Sequence, residues 1–195
     1  MRITGGELGG RRLKMPSAGH VRPTQDAVRE AVFSMLMDVV PGSSFLDLFA
    51  GSGSIGIEAW SRGAKQVTWV ERDPKVARIL KENIETLCGA EAAKIIGEDV
   101  LTWLARPALQ PGTIDVVYAD PPYATEENPD VIEAVIDRLT ASGWLAPRAI
   151  FVAEQATGGS YPTPSGWERI KERRYGHTRI LIFRKNAGGQ IANGS

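Results

Sequence analysis

The stretch that decides the fold is FLDLFAGSGSIGIEA, residues 45–59. It starts as a short apolar run, passes through a turn with Gly51, Gly53 and Gly56 in GxGxxG spacing, and continues as a helical pattern. Glycines at this spacing let the chain turn tightly and let a ligand approach the backbone. The stretch therefore predicts a strand, a ligand-binding turn and a helix, the first unit of an α/β sheet.

Short apolar runs alternate with helical patterns on either side of this stretch. The predicted strands are 45–49, 66–70, 93–97, 114–119 and 149–154, and the predicted helices are 24–40, 54–63, 74–88, 100–107 and 129–143. This alternation predicts right-handed crossovers and a parallel sheet that is covered on both faces. The later segments WERIKERRYG and TRILIFRK have no helical pattern between them and predict an antiparallel pair that closes the sheet.

The composition is that of one ordinary soluble domain. The chain has 195 residues, of which 43% are hydrophobic and 24% charged, and such a length can bury a core without disulfides or metals. Cys88 has no second cysteine to pair with, and neither His20 nor His177 lies in a metal-ligand cluster. No apolar run approaches the roughly 20 residues of a membrane span, and the N-terminus lacks the apolar stretch of a secretion signal. We therefore expect a cytoplasmic protein without a metal or a membrane partner.

Charge is distributed unevenly, although the net charge is zero. Residues 1–22 hold five basic side chains against Glu7, a net charge of +4, and residues 167–185 hold seven against two glutamates, a net charge of +5. The rest of the chain must then carry −9. Basic ends on an acidic body indicate that the ends meet a polyanion, although solvated surface charge is the alternative for either end alone.

Three acidic residues in or after successive predicted strands favour a nucleoside-bearing cofactor. The glycine motif alone fits a dinucleotide or S-adenosylmethionine. Glu71 lies 20 positions after Gly51, where a carboxylate can accept both hydroxyls of a ribose. Asp47 precedes the glycines, so it would repel a pyrophosphate and attract the amino group and sulfonium of S-adenosylmethionine, directly or through water. Asp99 could accept a hydrogen bond from an adenine amine. The alternatives are a turn residue at Asp47, a surface carboxylate at Glu71 and a helix N-cap at Asp99.

The tetrapeptide DPPY, residues 120–123, follows the fourth predicted strand at the same carboxyl edge. The exocyclic amine of a nucleobase is a weak nucleophile because its lone pair is delocalised into the ring. Asp120 and the carbonyl of Pro121 could accept its N–H groups and restore lone-pair character, while Pro121 and Pro122 fix the geometry. The ring of Tyr123 could stack on an extruded base. A rigid proline turn with an exposed tyrosine is the alternative.

Six segments together resemble one family. In order, over residues 1 to about 185, they are RITGGELGGRRL, RPTQDAVREAVFSML, DLFAGSGSIGIEA, VERD, GEDV and DPPY. They resemble the bacterial 16S rRNA (guanine-N2)-methyltransferases of the small ribosomal subunit, which are class I S-adenosylmethionine-dependent methyltransferases. The resemblance implies a Rossmann-like, seven-stranded, mostly parallel α/β sheet with an antiparallel last strand. We accordingly divide the chain into a basic N-terminal hairpin (1–22), a methyltransferase domain (23–185) and a glycine-rich tail (186–195) that we expect to be disordered.

The resemblance also implies roles for particular residues. It implies cofactor contacts from Asp47, Gly51, Gly53, Glu71 and Asp99. It implies catalysis by Asp120, Pro121, Pro122 and Tyr123. It further implies a guanine N2 acceptor in 16S rRNA, presented by an assembled or nearly assembled small subunit. We expect the enzyme to be a monomer. The expected rRNA contacts are then Arg2, Arg11, Arg12, Lys14 and Arg22.

Other functions stay open at this point. DPPY does not separate guanine N2 from adenine N6 in DNA or RNA, nor from a glutamine amide in a protein, although the absence of a separate DNA-reading domain favours RNA. A dinucleotide-dependent dehydrogenase would need a second half-fold and a substrate domain, for which 195 residues leave little room. A catalytically silent RNA-binding module is disfavoured by the intact cofactor motif.

Overall fold

A seven-stranded sheet with helices on both faces dominates the computed structural model, which describes residues 1–16, 26–108, 110–122, 131–157 and 163–187. The strands are β1 (Ser44–Leu48), β2 (Gln66–Val70), β3 (Ile95–Ile96), β4 (Ile114–Ala119), β5 (Leu145–Ala156), β6 (Trp167–Tyr175) and β7 (Thr178–Lys185). The helices are α1 (Asp26–Met35), α2 (Ser54–Ser61), α3 (Pro74–Leu87), α4 (Val100–Leu104) and α5 (Ile132–Ser142), with a 3-10 turn at Ala90–Ala92.

The strand order is β3-β2-β1-β4-β5-β7-β6. Strands β1 to β5 pair in parallel, whereas β7 pairs antiparallel with both β5 and β6. This arrangement confirms the predicted mostly parallel sheet with an antiparallel last strand. The chain fills the sheet outward from β1 to β3 and then returns to β4, so β1 and β4 are neighbours where the strand order reverses. The loops after these two strands therefore open side by side at the carboxyl edge.

Each face of the sheet buries its own hydrophobic cluster. Neighbouring residues of a strand point to opposite faces, and in β1 the residue Phe45 joins one cluster while Leu46 joins the other. The Phe45 cluster contains side chains from α1, α2 and α3, and the Leu46 cluster contains side chains from α4 and α5. Because both faces are covered, β4 is buried along nearly its whole length, which explains the apolar run at residues 116–119.

Several elements are shorter than the sequence predicts, and for two of them the physical reason is clear. A helix is predicted to continue to residue 40, but α1 ends at Met35 and turns follow it. Pro41 disfavours helical backbone at the residue before it, and Gly42 has a φ of +77°, so the chain turns before it enters β1. The third strand, predicted at 93–97, is reduced to the two residues of β3. This strand lies at the edge of the sheet, where short strands limit unwanted pairing with other chains.

The first sixteen residues pack against the helices of one face. Ile3 and Leu13 are buried in the same cluster as α1, α2 and α3, and an antiparallel bridge joins Arg2 to Arg12. The predicted domain boundary at residue 22 stays a prediction, because residues 17–25 lie outside the described ranges, as do residues 188–195 of the predicted tail.

A buried carboxylate, Glu58 of α2, fixes this N-terminal segment. It is 0% exposed and accepts hydrogen bonds from the backbone N–H groups of Thr4 and Gly5 at 2.8 and 2.9 Å, and from the Thr4 hydroxyl at 2.7 Å. Its cationic partners are Arg29 and Arg62, whose Nε atoms lie 3.2 and 2.9 Å from its carboxylate oxygens. Arg29 of α1 is itself 0% exposed. One buried ionic cluster therefore holds the N-terminal segment, α1 and α2 together.

Candidate active site

The glycine turn begins where β1 ends and leads into α2. Gly53 is the N-cap of α2 with a φ of +85°, and a Cβ there would lie 2.4 Å from Leu80 Cδ1. Gly51 also has a positive φ, of +55°. Asp47 Oδ2 accepts the N–H of Gly56 at 2.9 Å, so a carboxylate inside β1 holds the first turn of α2. Backbone conformation and close packing thus require glycine in this turn.

Glu71, directly after β2, joins the glycine turn to the turn before α3. Its Oε2 accepts the N–H of Gly51 at 2.9 Å and its Oε1 accepts the N–H of Asp73 at 2.8 Å. Each oxygen has a second lone pair, so the half-buried carboxylate can still accept hydroxyl groups. Its contact with a ribose stays a prediction, and the geometry suits one.

Asp99 is the N-cap of α4, the alternative that the sequence left open for it. Its Oδ1 accepts the N–H of Thr102 at 3.1 Å, and its Oδ2 lies 3.6 Å from Arg72 Nη1. The side chain is 43% exposed, so it can accept a further hydrogen bond while it caps the helix. Its contact with an adenine amine also stays a prediction.

The carboxylates at this edge form an acidic set of hydrogen-bond acceptors. Asp47, Glu71 and Asp99 lie in or follow β1, β2 and β3, which are neighbours in the sheet. Such a set suits a cation that carries a diol and an amine, and it would repel a pyrophosphate. The residues therefore fit S-adenosylmethionine, which when bound supplies an electrophilic methyl group on a sulfonium.

The carboxyl group of Asp47 is almost completely buried, at 2% exposure. Burial raises the pKa of Asp47 well above its ordinary value, the hydrogen bond from Gly56 opposes this effect, and the charge of Glu71 adds to it. A cation bound at this edge would favour the ionised form of Asp47. Asp47 is therefore placed to hold the turn in the free protein and to respond to a positively charged ligand.

Replacing Asp47 with Asn should make stability depend less on pH. The native protein keeps the Asp47 proton to higher pH than the unfolded chain, so its free energy of unfolding falls as the pH rises from about 4 towards the native pKa. Asparagine does not titrate and can still accept the Gly56 N–H. Urea unfolding at several pH values between about 4 and 8 should show that the free energy of unfolding of D47N, relative to that of the wild type, increases as the pH rises. If the free energies of unfolding of D47N and the wild type changed equally with pH, Asp47 would not have the raised pKa assigned to it.

The DPPY loop starts directly after β4, beside the glycine turn. The last residues of β1 and β4 are register partners, so Asp120 follows the strand end that adjoins the start of the glycine turn. The described residues of the motif differ in exposure, with Asp120 half-buried, Pro121 buried and Pro122 exposed. Tyr123 lies outside the described residues. The structure thus brings the two motifs to one edge of the sheet, while the roles of their residues stay predictions.

A buried pair near Asp120 was not identified from the sequence. Tyr118, two positions before Asp120, donates its hydroxyl proton to Glu154 Oε2 at 2.7 Å, and both side chains are buried. Burial raises the pKa of Tyr118 well above its ordinary value, and the charges of Glu154 and Asp120 raise it further. The phenol therefore keeps its proton and ties the end of β4 to β5. Polar residues inside two predicted buried strands are the available sequence signal for this pair.

Asn83 of α3 connects the N-terminal segment to the glycine turn and was also missed. Its Oδ1 accepts the N–H of Lys14, and its Nδ2 donates to the carbonyl oxygens of Lys14 and Ser52, each at 2.9 Å. In the sequence it lies in the polar pattern KENIE, which gives no signal for a buried contact. One buried side chain therefore joins the backbone of the predicted RNA-binding segment to the predicted cofactor turn.

Four of the five predicted RNA-binding residues lie in the described N-terminal segment. All four are exposed, namely Arg2, Arg11, Arg12 and Lys14. Arg2 and Arg12 face each other across the antiparallel bridge, and Lys14 Nζ lies 3.0 Å from Glu82 Oε2. Arg22 lies outside the described residues. The structure therefore groups the four described residues on one segment without testing their contact with RNA.

Metal-binding clusters and membrane-spanning helices do not occur in the described part of the chain. Within these ranges, His, Cys, Asp and Glu side chains do not gather into any group of three or more that could hold a metal ion. Every helix in the same ranges is too short or too polar to span a bilayer.

Comparison with known proteins gives matches along nearly the whole chain. The family model described as Conserved hypothetical protein 95 matches residues 1–184. Ribosomal RNA small subunit methyltransferase D of Haemophilus influenzae is 40% identical over 184 residues, which are 94% of this chain and 93% of that protein. The protein of the same name from Escherichia coli K12 is 35% identical over 192 residues, 97% of this chain and 92% of its own length.

Solved structures also match nearly the whole chain. A methyltransferase from Escherichia coli superposes with a TM-score of 0.83 at 32% identity and covers 96% of this chain and 99% of its own. A methylase from Haemophilus influenzae has a TM-score of 0.77 at 37% identity, with coverage of 95% and 98%. An RNA methyltransferase from Salinibacter ruber, solved with S-adenosyl-L-homocysteine, is 16% identical with a TM-score of 0.63 and covers 89% and 100%, a similarity of fold alone.

Proposed function

Because this chain belongs to the family of ribosomal RNA small subunit methyltransferase D, and the model described as Conserved hypothetical protein 95 matches it along its length, we propose a matching function. The protein transfers a methyl group from S-adenosylmethionine to the exocyclic N2 amine of a specific guanine in 16S rRNA. Its substrate is the assembled or nearly assembled small ribosomal subunit, and the enzyme acts as a cytoplasmic monomer.

The observation that carries this proposal is the adjacency of β1 and β4. It places the glycine turn, with its acidic hydrogen-bond acceptors, beside the DPPY loop at one edge of the sheet. A methyl donor at the first motif and a flat amine at the second would then be neighbours, which direct transfer between them requires. Neither motif alone supports the proposal as strongly as their common edge.

The DPPY loop would act on the amine by accepting hydrogen bonds. The Asp120 carboxylate and the Pro121 carbonyl are acceptors at the end of a rigid strand, and proline offers no competing backbone N–H. Two N–H groups drawn toward them would restore lone-pair character on the nitrogen and aim it at the donor. The nitrogen can lose its extra proton after transfer, to Asp120 or to water, so Asp120 need not be a strong base.

The test of this proposal is to ask which polymer accepts a tritiated methyl group from S-adenosylmethionine. We expect incorporation into 16S rRNA of small subunits from a strain that lacks the enzyme, and none into duplex DNA or subunit proteins. Calorimetry should show binding of S-adenosylmethionine and none of NAD. Label in DNA or in protein, or binding of NAD alone, would refute the proposal.

Replacing both Arg11 and Arg12 with Ala should weaken binding to the small subunit and flatten its salt dependence. Each phosphate that the variant no longer neutralises should lower the slope of log affinity against log salt by roughly 0.7–0.9. Both side chains are exposed, so the fold and the affinity for S-adenosylmethionine should be kept. Lys65→Ala, an exposed lysine just before β2, is the matched control and should bind like the wild type. Equal slopes for R11A/R12A and wild type would remove these residues from the RNA interface.

A further inference from the structure

The turn between β6 and β7 lies at the same edge of the sheet as the candidate active site. β5 runs parallel to β4, and its last residue, Ala156, is the register partner of Thr178 at the start of β7. Thr178 also pairs with Tyr175 at the end of β6, and the Thr157 N–H donates to the carbonyl of His177 at 3.0 Å. The end of β6 and the start of β7 therefore stand beside the carboxyl end of β5.

This turn carries an excess of positive charge. Residues 170–179 contain four basic side chains and a single acid, Glu172, a net charge of +3. Three guanidinium groups share that acid, since Arg169, Arg174 and Arg179 lie 3.1, 3.5 and 3.8 Å from its carboxylate oxygens. The net charge of +3 over residues 170–179 gives the turn a positive field at the active-site edge.

Two of these arginines are accessible to a large ligand. Arg173 and Arg174 are exposed, and the Arg174 side chain keeps 69% of its surface in contact with solvent. Arg173 donates to the carbonyl of Glu172 at 2.8 Å, which uses one of its five N–H groups. Successive residues of a strand point to opposite faces, so the end of β6 offers a guanidinium on each side.

The distance from the candidate active site suits contact with the same RNA strand. Three strand spacings separate β4 from β6, about 14 Å at roughly 4.8 Å per spacing, and two separate β4 from β7. A base held at Asp120 would bring its flanking phosphates to this edge. Guanidinium groups bind phosphates through paired N–H donors.

We propose that Arg173 and Arg174 form a second RNA-phosphate site, which binds the backbone beside the target nucleotide. The site rests on the proposed function, because it assumes that a nucleic acid enters the DPPY pocket. By this proposal, the part of the basic 167–185 segment near the active-site edge binds RNA, and the part at the opposite end of the two strands does not. Together with the N-terminal segment it places basic groups on two separate elements around the site.

Protection of the sheet edge is the competing explanation for these charges. β6 is an edge strand, and charged side chains on edge strands prevent pairing with other chains. Edge protection would not distinguish the two ends of the strand pair. Lys185, at the opposite end of β7, is seven residues from Thr178 and therefore about 23 Å away along the strand. Lys185 is therefore a basic residue of the same strand pair that lies far from the active-site edge.

The test compares R173A/R174A with K185A in binding to small ribosomal subunits over a range of salt concentrations. We expect the arginine variant to lower the salt slope by roughly 0.7–0.9 per arginine, and to lose at least tenfold in affinity at low salt. K185A should match the wild type, R173K/R174K should recover most of the slope, and all variants should bind S-adenosylmethionine equally. A wild-type slope in R173A/R174A, or an equal loss in K185A, would overturn the second site.

The same experiment separates failure of this site from failure of the proposed function. Wild-type protein is first assayed for methyl transfer to the subunits used for binding. If it methylates them and the arginine variant binds like the wild type, the phosphate site alone is wrong. If the wild type neither binds nor methylates the subunits, both the proposed function and the phosphate site are wrong.

Discussion

Replacing Asp120 with Ala should lower the rate of methyl transfer by a factor of about 10² to 10³ while leaving affinity for S-adenosylmethionine nearly unchanged. The loss is expected because Asp120 is the charged acceptor that the DPPY loop offers to the amine, and a charged acceptor forms the stronger hydrogen bonds. Cofactor binding should persist because the glycine turn and the acids of β1, β2 and β3 are untouched. Single-turnover incorporation of labelled methyl, beside calorimetry, would measure both effects.

Asp115→Asn is the matched control for this variant. Asp115 lies in β4 itself but near its amino end, where its Oδ2 accepts the N–H of Ser44 at 2.8 Å. Asparagine can keep that hydrogen bond, so D115N should transfer methyl at nearly the wild-type rate. If D120A kept its activity, or if it lost cofactor binding in proportion, Asp120 would not have the catalytic role proposed for it.

Removing the Glu58 carboxylate should cause a large loss of stability. In E58A the fully buried Arg29 would keep its charge without its buried partner, and truncating one partner of a buried pair typically costs about 3–5 kcal/mol. The variant also leaves the N–H groups of Thr4 and Gly5 without their acceptor, so the N-terminal segment should loosen. Urea unfolding at neutral pH would measure the change in free energy.

Glu82→Ala provides the contrast for E58A. Glu82 also pairs with a cation of the N-terminal segment, Lys14, but both side chains are largely exposed. Exposed ion pairs contribute little because water screens them and the long side chains lose freedom, so E82A should unfold like the wild type. If E58A and E82A were equally stable, the buried cluster would not be what holds the segment in place. Should E58A fail to fold, E58Q, which keeps the size and one acceptor, should unfold at lower urea than E82A.

The sheet and its active edge could be predicted because the signals for them are local. Apolar runs that alternate with helical patterns give the order of the elements, and the strand-turn-helix stretch at 45–59 gives the cofactor edge. DPPY after the fourth strand then falls at the same edge by the geometry of parallel sheets alone. Boundaries were harder to predict, as the early end of α1 shows, because the proline and glycine that follow it set where the chain turns.

The buried polar contacts could not be predicted because they depend on partners distant in the sequence. Glu58 and Arg29 lie in helices where a charged residue normally faces water, and only their mutual packing explains their burial. Asn83 contacts residues 69 and 31 positions away, and Glu154 lies 36 positions from Tyr118. The position of the β6–β7 turn also needs the register of three strands, which no local pattern contains.

The measurement that tests the central claim most directly is the identity of the methylated nucleoside. Small subunits from a strain that lacks the enzyme are incubated with the protein and labelled S-adenosylmethionine, and their 16S rRNA is digested to nucleosides and separated. We predict that the label co-migrates with N2-methylguanosine and that subunits incubated with D120A carry almost none. Label in N6-methyladenosine, or no label in the rRNA with wild-type protein, would contradict the proposed guanine N2 transfer.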